Sequence, residues 1–203
     1  MTKVKICGIT TKREIEYINE YKPDFAGFVM FFPKSKRNIN PSTAKELLNA
    51  LITSVKSVAV MVNPSMEQIN IAKECGFDYV QIHGNTESSL LCNSPLPIIR
   101  AFNVSDIDRF DEYSKIDNIV GYLFDSAVPG SGKTFDWILL DKLPRDNKKI
   151  FILAGGLDAD NVADAIKRVT PDGVDVSSGV ENDNGNGKSK EKIKTFISNA
   201  RLV

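Results

Sequence analysis

The sequence has 203 residues, of which 42% are hydrophobic and 26% charged, proportions that are typical of an ordinary globular protein. Its 26 basic and 26 acidic residues cancel, so charge gives no reason to expect a nucleic acid or an anionic membrane surface as a partner. No apolar run approaches the roughly 20 residues that span a bilayer, and the first residues lack a signal-peptide core, so we expect a cytoplasmic protein with no membrane association.

Eight short apolar runs with many β-branched residues recur along the chain, with helical patterns between them. They begin near Lys3, Phe25, Ser57, Asp78, Pro97, Val120, Lys149 and Gly173. Successive runs start on average about 24 residues apart, as expected for strands that alternate with helices. Most runs are apolar throughout, which is typical of parallel strands covered on both faces.

Such a pattern can build an open doubly wound sheet or a closed barrel. The even spacing and the absence of a GxGxxG motif after the first run favour the barrel. The sequence therefore predicts an α/β fold, a (β/α)8 TIM barrel, with residues 1–203 forming a single catalytic domain.

The helical patterns have recognisable ends. Asn40-Pro41 predicts an N-cap and a first-turn proline, followed by an apolar stripe from Ala44 to Ile52. Asn63-Pro64 predicts the start of a second helix that ends near Gly76. A third helix is expected to begin at Asp158 or Asp160. The last predicted helix carries four apolar residues at helical spacing, namely Ile193, Phe196, Ile197 and Ala200.

The cysteines and the single histidine limit the chemistry that is available. Cys7, Cys75 and Cys92 are odd in number and lack CxxC spacing, which predicts neither a disulfide framework nor a metal site. His83 is the one histidine and no GxSxG motif is present, so a Ser-His-Asp hydrolase would depend on that residue alone.

Small, polar and ionisable residues collect where the predicted strands end, and the loops at that end carry the function of such barrels. They include Cys7, Arg37, His83, Asp125, Gly132, the pair Gly155-Gly156 and the pair Ser178-Gly179. These two pairs follow the seventh and eighth runs, where backbone N–H groups commonly bind phosphate. Either pair taken alone is more often an ordinary turn.

A segment that reads GSGKT at 130–134 is not a nucleotide-binding P-loop. The P-loop motif requires a glycine five residues before Gly132, where this sequence has Ala127. The glycines of this segment are better explained as shaping the loop after the sixth strand around a sugar phosphate.

Cys7 and Asp125 are the candidate reactive pair. The first and sixth strands lie three apart in a ring of eight, so these side chains can approach a substrate from opposing sides, one delivering a proton and the other removing one from carbon. A free cysteine is more often a small core residue, and an aspartate at a strand end is more often a turn residue, so both alternatives remain. Arg37 is either a solvated charge or a carboxylate clamp, and His83 either orients a substrate or is structural.

Segments around these residues resemble the phosphoribosylanthranilate isomerase family of tryptophan biosynthesis. The resemblance covers nearly the whole chain in order, through KICGIT (5–10), GFVMFFPKSKRNI (27–39), VAVMVN (58–63), VQIHG (80–84), FDSAVPGSGKTFDW (124–137), LAGGLDADNV (153–162) and GVDVSSGVE (173–181). One departure is the Asn- and Gly-rich loop that follows GVDVSSGVE, which we expect to be mobile on the active face.

The resemblance implies an Amadori rearrangement of N-(5′-phosphoribosyl)anthranilate without metal or cofactor. It implies that Cys7 is the general base, that Asp125 is the general acid and that Arg37 binds the anthranilate carboxylate. On this chemistry Asp125 must be protonated when substrate is bound, and Cys7 needs surroundings that favour its thiolate. The predicted substrate-binding residues are Arg37, His83, Gly132, Gly155, Gly156, Asp175, Ser178 and Gly179.

Two other functions remain as alternatives. The histidine-pathway aminosugar isomerase family uses the same barrel and rearrangement, but would be expected to place an aspartate where this sequence has Cys7. A non-catalytic sugar-phosphate binder would need the glycines but neither Cys7 nor Asp125. The sequence does not decide between a monomer and a homodimer.

Overall fold

Nine parallel strands form the centre of the structure, a computed structural model that describes residues 1–103, 110–125, 140, 145–146 and 148–203. The strands are β1 (Lys3–Cys7), β2 (Phe25–Met30), β3 (Asn38–Ile39), β4 (Lys56–Val62), β5 (Tyr79–His83), β6 (Ile98–Asn103), β7 (Ile119–Asp125), β8 (Ile150–Leu153) and β9 (Gly173–Val176). Their order is β1-β9-β8-β7-β6-β5-β4-β2-β3, and β1 also pairs with β2. The predicted closed barrel of eight parallel strands is therefore confirmed, and β3 is a two-residue addition beside β2.

The helices of the described residues connect these strands. They are α1 (Lys12–Tyr21), α2 (Pro41–Ala50), α3 (Met66–Cys75), α4 (Ser88–Asn93), α5 (Phe110–Ser114), α6 (Val162–Val169) and α7 (Lys190–Arg201). None of them is long and apolar enough to cross a membrane.

Three of the predicted helices have the expected ends or faces. Asn40 caps α2 by accepting a hydrogen bond from the Thr43 N–H, with Pro41 in the first turn. Gly76 ends α3 in the left-handed region at φ 98°, a conformation that costs glycine little. The four apolar residues predicted for the last helix are all buried on one face of α7.

Three predicted boundaries are wrong. Asn63 lies before α3 with φ 47°, and Ser65 caps that helix because its hydroxyl reaches the Gln68 N–H at 3.2 Å. The first helical residue of α6 is Val162, since the Asp158 carboxylate accepts from the backbone N–H groups of residues 160 and 161 and holds a turn there. The apolar stripe of α2 continues to Ile52, but the helix ends at Ala50.

Helix α1 was not predicted, although its N-terminus carries a capping box. The Thr11 hydroxyl accepts from the Glu14 N–H at 3.3 Å, and Glu14 Oε2 accepts from the Thr11 N–H at 3.0 Å. Glu14 Oε1 also accepts from the Lys188 N–H at 2.7 Å, so this buried carboxylate joins the start of α1 to the segment before α7.

Two apolar cores follow from the alternation of side chains along the strands. One core lies between the barrel and its helices. The other fills the barrel interior and contains Cys7, Phe25, Val58, Val60, Ile99, Ala101, Leu123, Ile152 and Ala154. Nearer the carboxyl ends of the strands, ionisable side chains such as His83, Asp125 and Asp175 join the apolar ones.

We expect Thr11→Ala to lower the free energy of unfolding by about 1 kcal/mol, because it removes one half of the capping box. Chemical denaturation monitored by circular dichroism measures this change. Thr53→Ala is the matched control, since Thr53 is exposed in the turn after α2. Equal stability of the two variants would contradict the role of the cap.

Candidate active site

A cavity of about 360 Å³ opens at the carboxyl ends of the barrel strands. Cys7, Arg37, His83, Asp125 and Asp175 all line it. Five of the residues that the sequence predicts for the site are thus brought together. A wider depression of about 700 Å³ lies outside this mouth, between α1 and the start of α7, and none of these five residues lines it.

The predicted phosphate-binding glycines lie beside this cavity rather than in its lining. Gly155 and Gly156 follow β8 with φ values of 85° and 65°, in the left-handed region that favours glycine. Gly179 lies in a short 3-10 helix (Ser178–Val180), where a Cβ atom would collide with the carbonyl oxygen of Leu157. The loops after β8 and β9 therefore touch each other, and Gly132 lies outside the described residues.

The backbone N–H groups of Gly155, Gly156, Ser178 and Gly179 donate no hydrogen bond to any described residue. Buried or half-buried N–H groups are normally paired, so four that donate to no acceptor among the described residues, on two touching loops, are unusual. As far as that part of the chain is concerned, they are available to an anion.

Cys7 ends β1 and is 8% exposed, at the boundary between the apolar interior and the cavity. Burial raises the pKa of its thiol, and the nearby Asp175 adds to this rise, while Lys5 and Lys188 act in the opposite direction. The thiol therefore ionises less readily than a free cysteine, and the expectation that its surroundings favour the thiolate is not met.

Asp125 ends β7 and is 9% exposed. It is in register with Asn103 at the end of β6, and both side chains line the cavity. Asn103 Oδ1 is buried and accepts no hydrogen bond from the described residues. A carboxyl group and an amide oxygen therefore lie side by side on this side of the cavity.

His83 is held in its neutral form. Burial is the main cause that lowers its pKa to about 3, and the positive charges of Lys5 and Arg100 act in the same direction. The side-chain nitrogen of Gln81 lies 2.6 Å from His83 Nε2, and these two nitrogens share a hydrogen bond. Gln81 Oε1 is buried without a partner among the described residues.

Arg37 meets a buried carboxylate that the sequence analysis did not single out. Its Nε donates to Glu181 Oε1 at 2.6 Å, and Lys36 Nζ donates to Glu181 Oε2 at 2.8 Å. Burial alone would raise the pKa of Glu181, but hydrogen bonds from Arg37 and Lys36 hold it below its usual value. No hydrogen bond to a described residue uses the terminal nitrogens of Arg37, so they can face a ligand in the cavity.

The loop that was expected to be mobile has a defined hydrogen-bonded shape. Glu181 pairs with Lys188 in an antiparallel bridge, and the Asn182 N–H donates to the Gly187 carbonyl at 3.0 Å. Lys188 Nζ is buried and donates at 2.9 Å to the carbonyl oxygen of Ser177, a residue that lines the cavity. This loop therefore supplies charged groups to the site.

Two of the site residues that the sequence analysis missed, Lys5 and Gln81, share one signal. Lys5 and Gln81 each lie two residues before a predicted site residue on the same strand, and side chains two apart on a strand share a face. Applying this alternation to Cys7 and His83 would have found both. Asn103 and Lys188 had no comparable signal.

A parallel barrel that gathers ionisable side chains at its carboxyl-terminal mouth defines a (β/α)8-barrel enzyme. Over residues 4–199 the chain also matches the family model for N-(5′-phosphoribosyl)anthranilate (PRA) isomerase. The chain belongs to the PRA isomerase family and is an isomerase, as the sequence predicts.

Named relatives are similar over nearly their whole length. The N-(5′-phosphoribosyl)anthranilate isomerase of Acetivibrio thermocellus is 39% identical over 216 residues, which cover 99% of this chain and 96% of that protein. The enzyme of the same name from Streptococcus mutans is 41% identical, with coverage of 99% and 100%.

Solved structures agree with the sequence comparison. The crystal structure of phosphoribosyl anthranilate isomerase from Thermotoga maritima has a TM-score of 0.88 and 38% identity, and each chain is fully covered. Another crystal structure of such an isomerase, in complex with reduced 1-(o-carboxyphenylamino)-1-deoxyribulose 5-phosphate, has a TM-score of 0.86 and 36% identity.

We expect the imidazole of His83 to remain neutral between pH 5 and pH 8, because its pKa is lowered to about 3. His83 is the one histidine of the chain, so NMR of selectively labelled histidine reports on it without ambiguity. The unfolded chain binds this proton below about pH 6.5, so His83 lowers the stability of the fold as the pH falls from there towards 3. A titration midpoint near 6.5 in the folded protein would contradict the neutral assignment.

Proposed function

We propose that this chain converts N-(5′-phosphoribosyl)anthranilate into 1-(2-carboxyphenylamino)-1-deoxyribulose 5-phosphate by general acid–base catalysis. Asp125 is the general acid and Cys7 is the general base. The observation that carries the proposal is that both side chains line one cavity in a member of the PRA isomerase family. Its volume of about 360 Å³ is in the range of small-molecule sites.

The first step opens the ribose ring. Protonated Asp125 delivers its proton to the ring oxygen, and the bond between that oxygen and C1′ breaks. The lone pair of the anthranilate nitrogen forms a double bond to C1′, which gives a positively charged Schiff base. The residue needed for this step is a carboxylic acid within reach of the ring oxygen.

The second step moves a proton away from carbon. The Cys7 thiolate removes the proton from C2′, and the electrons of that bond form a C1′–C2′ double bond while the nitrogen becomes neutral. The resulting enolamine gains a proton at C1′ and loses one from the C2′ hydroxyl, which gives the ketose. The Schiff base is its own electron sink, so the rearrangement requires no metal or cofactor.

The protonation state of Cys7 changes during this sequence. Burial raises the pKa of the thiol in the free protein. Formation of the Schiff base brings a positive charge close to Cys7, and an opposite charge within a few ångströms favours the thiolate. The thiol then loses its proton to solvent, so the base is activated after ring opening and before it removes the proton from C2′.

The two ends of the substrate have suitable surroundings. Apolar side chains of Val29, Phe32, Val60 and Val62 line the cavity and can pack against an aromatic ring. In this proposal Arg37 binds the anthranilate carboxylate. The phosphate is bound by the N–H groups of the loops after β8 and β9 that donate to no described residue, with Gly132 as a further proposed contact, while His83 and Asp175 contact the ribose portion.

We further propose that residues 1–203 form one catalytic domain that acts in the cytoplasm, as a monomer or a homodimer. A solved relative from Thermotoga maritima is described as dimeric. The histidine-pathway isomerase is disfavoured by Cys7 at the end of β1 and by the family match. A non-catalytic binder is disfavoured by the presence of both Cys7 and Asp125 in the cavity.

We expect Cys7→Ala and Asp125→Asn each to lower kcat by about 10²- to 10⁴-fold with a much smaller change in KM, because each removes one proton transfer. A fluorescence assay with freshly prepared phosphoribosylanthranilate measures this change. Cys92→Ser and Asp164→Asn are the matched controls, since both residues are exposed. Near-normal turnover of either site variant would remove that residue from its role, and turnover of the histidine-pathway substrate instead would overturn the proposed function.

We expect Arg37→Met to weaken the binding of product analogues that carry the anthranilate carboxylate by about 1.5–3 kcal/mol, because a charge-assisted hydrogen bond is lost. Binding of an otherwise identical aniline analogue should change much less. Isothermal titration calorimetry with the two analogues separates the carboxylate effect from the loss of the Arg37–Glu181 contact. Lys34→Met is the control on the same loop, because Lys34 is exposed. An equal loss for both analogues would reduce Arg37 to a structural role.

A further inference from the structure

We propose that the buried ion pair between Lys5 and Asp175 is the positioning element that controls the ionisation of Cys7. Lys5 stabilises the Cys7 thiolate, and Asp175 holds Lys5 in place while limiting how far the thiolate is favoured. This inference deepens the proposed function, since it rests on Cys7 being the base. It assigns a role to Lys5, and it gives Asp175 a second role besides the proposed contact with the ribose portion.

The strands bring the three groups together. Lys5 and Cys7 lie two residues apart on β1 and share its inward face. Lys5 is in register with Asp175 on β9, and its Nζ lies 2.9 Å from Asp175 Oδ1. The Lys5 side chain is only 1% exposed.

Gly27 on β2 makes room for this cluster. It is in register with Cys7, and a Cβ atom at Gly27 would lie 2.9 Å from Cys7 Sγ and 3.0 Å from Lys5 Nζ. The thiol and the ammonium group therefore meet above a residue that has no side chain. Any larger residue there would push them apart.

Burying an ammonium group costs free energy because the charge loses its hydration, unless an opposite charge pairs with it. An apolar side chain at position 5 would continue the inner core of the barrel at no such cost. Asp175 satisfies the charge of Lys5, and the pKa of Lys5 is raised despite the opposing effect of burial. Lys5 therefore remains charged next to Cys7 throughout the neutral range.

Other titratable or charged groups face Cys7 from the surrounding elements. They are Lys188 from the loop after β9, Arg37 and Glu181 at the mouth, and His83 and Asp125 across the cavity. Lys188 also favours the thiolate, but its Nζ is directed to the Ser177 carbonyl oxygen. His83 is neutral. Among all the charged groups around Cys7, Lys5 has the largest effect and lowers the pKa of the thiol. Asp175 has the next largest effect and raises it.

The experiment measures the pKa of the Cys7 thiol directly. Cys75→Ala and Cys92→Ser leave Cys7 as the one cysteine, and the pH dependence of its alkylation by iodoacetamide then gives its pKa. We expect Lys5→Met to raise this pKa by about one unit or more, which lowers the alkylation rate at pH 7.5 about tenfold. Asp175→Asn should lower the pKa, because Cys7 then becomes the nearest counter-charge for Lys5.

The double variant Lys5→Met/Asp175→Asn removes both charges and leaves no unpaired carboxylate in the barrel. If Lys5→Met does not fold, this double variant replaces it in the test. It should also raise the pKa of Cys7, since Lys5 affects that pKa more than Asp175 does. Lys12→Met is the control, because Lys12 pairs with Glu46 on the surface and is 69% exposed. An unchanged pKa in both variants that lack Lys5, or a rise in Asp175→Asn, would overturn the proposal.

Kinetics separate this inference from the proposed function. Lys5→Met should lower kcat/KM at pH 7.5 by the same factor as the alkylation rate and should recover activity as the pH rises, which a merely structural defect would not do. If Cys7→Ala keeps its turnover while the thiol pKa still follows Lys5, the assigned base is wrong but the ion pair controls the thiol. If the thiol pKa is the same with and without Lys5 while Cys7→Ala is inactive, the proposed function stands and this inference fails.

Discussion

The pairing of β1 with both β2 and β9 is the constraint on which the site depends. It closes the barrel, and it places Lys5 beside Asp175 on one side and Cys7 beside Gly27 on the other. An open sheet with the same strands would lack the pairing of β1 with β2. The chemistry of the mouth is thus a consequence of ring closure, because Cys7 on β1, Asp125 on β7 and Asp175 on β9 belong to different βα units.

Much of the fold could be predicted because it depends on local patterns. Each predicted strand begins within one residue of the observed one, since a buried parallel strand is marked by an apolar run. The end of α3 at Gly76 is likewise a local property of glycine. Helix α1 was missed because its sequence, KREIEYINEY, is dominated by charged and polar residues, and only its capping box marks its start.

The candidate site was predictable where position along a strand was sufficient. Cys7, His83 and Asp125 all end strands, and the cavity unites them. The contact of Arg37 with Glu181 joins residues 144 apart in the sequence, and such a pairing has no local signal. The ionisation of Cys7 could not be inferred either, because the balance between burial and neighbouring charges depends on coordinates. Sequence patterns therefore predict which residues gather, and the structure is needed to say how each one is charged.

The carboxylate of Glu14 has a consequence for how the molecule is made. Its two oxygens accept from the first loop of the barrel and from Lys188, which lies 174 residues further along the chain. A ribosome releases the chain from its amino terminus onward, at roughly 5–20 residues per second. Cys7 and Asp125 are therefore synthesised well before the loop that contains Lys188. The contact between Glu14 and Lys188 can form only after Lys188 has left the exit tunnel, so the mouth of the barrel is completed late in synthesis.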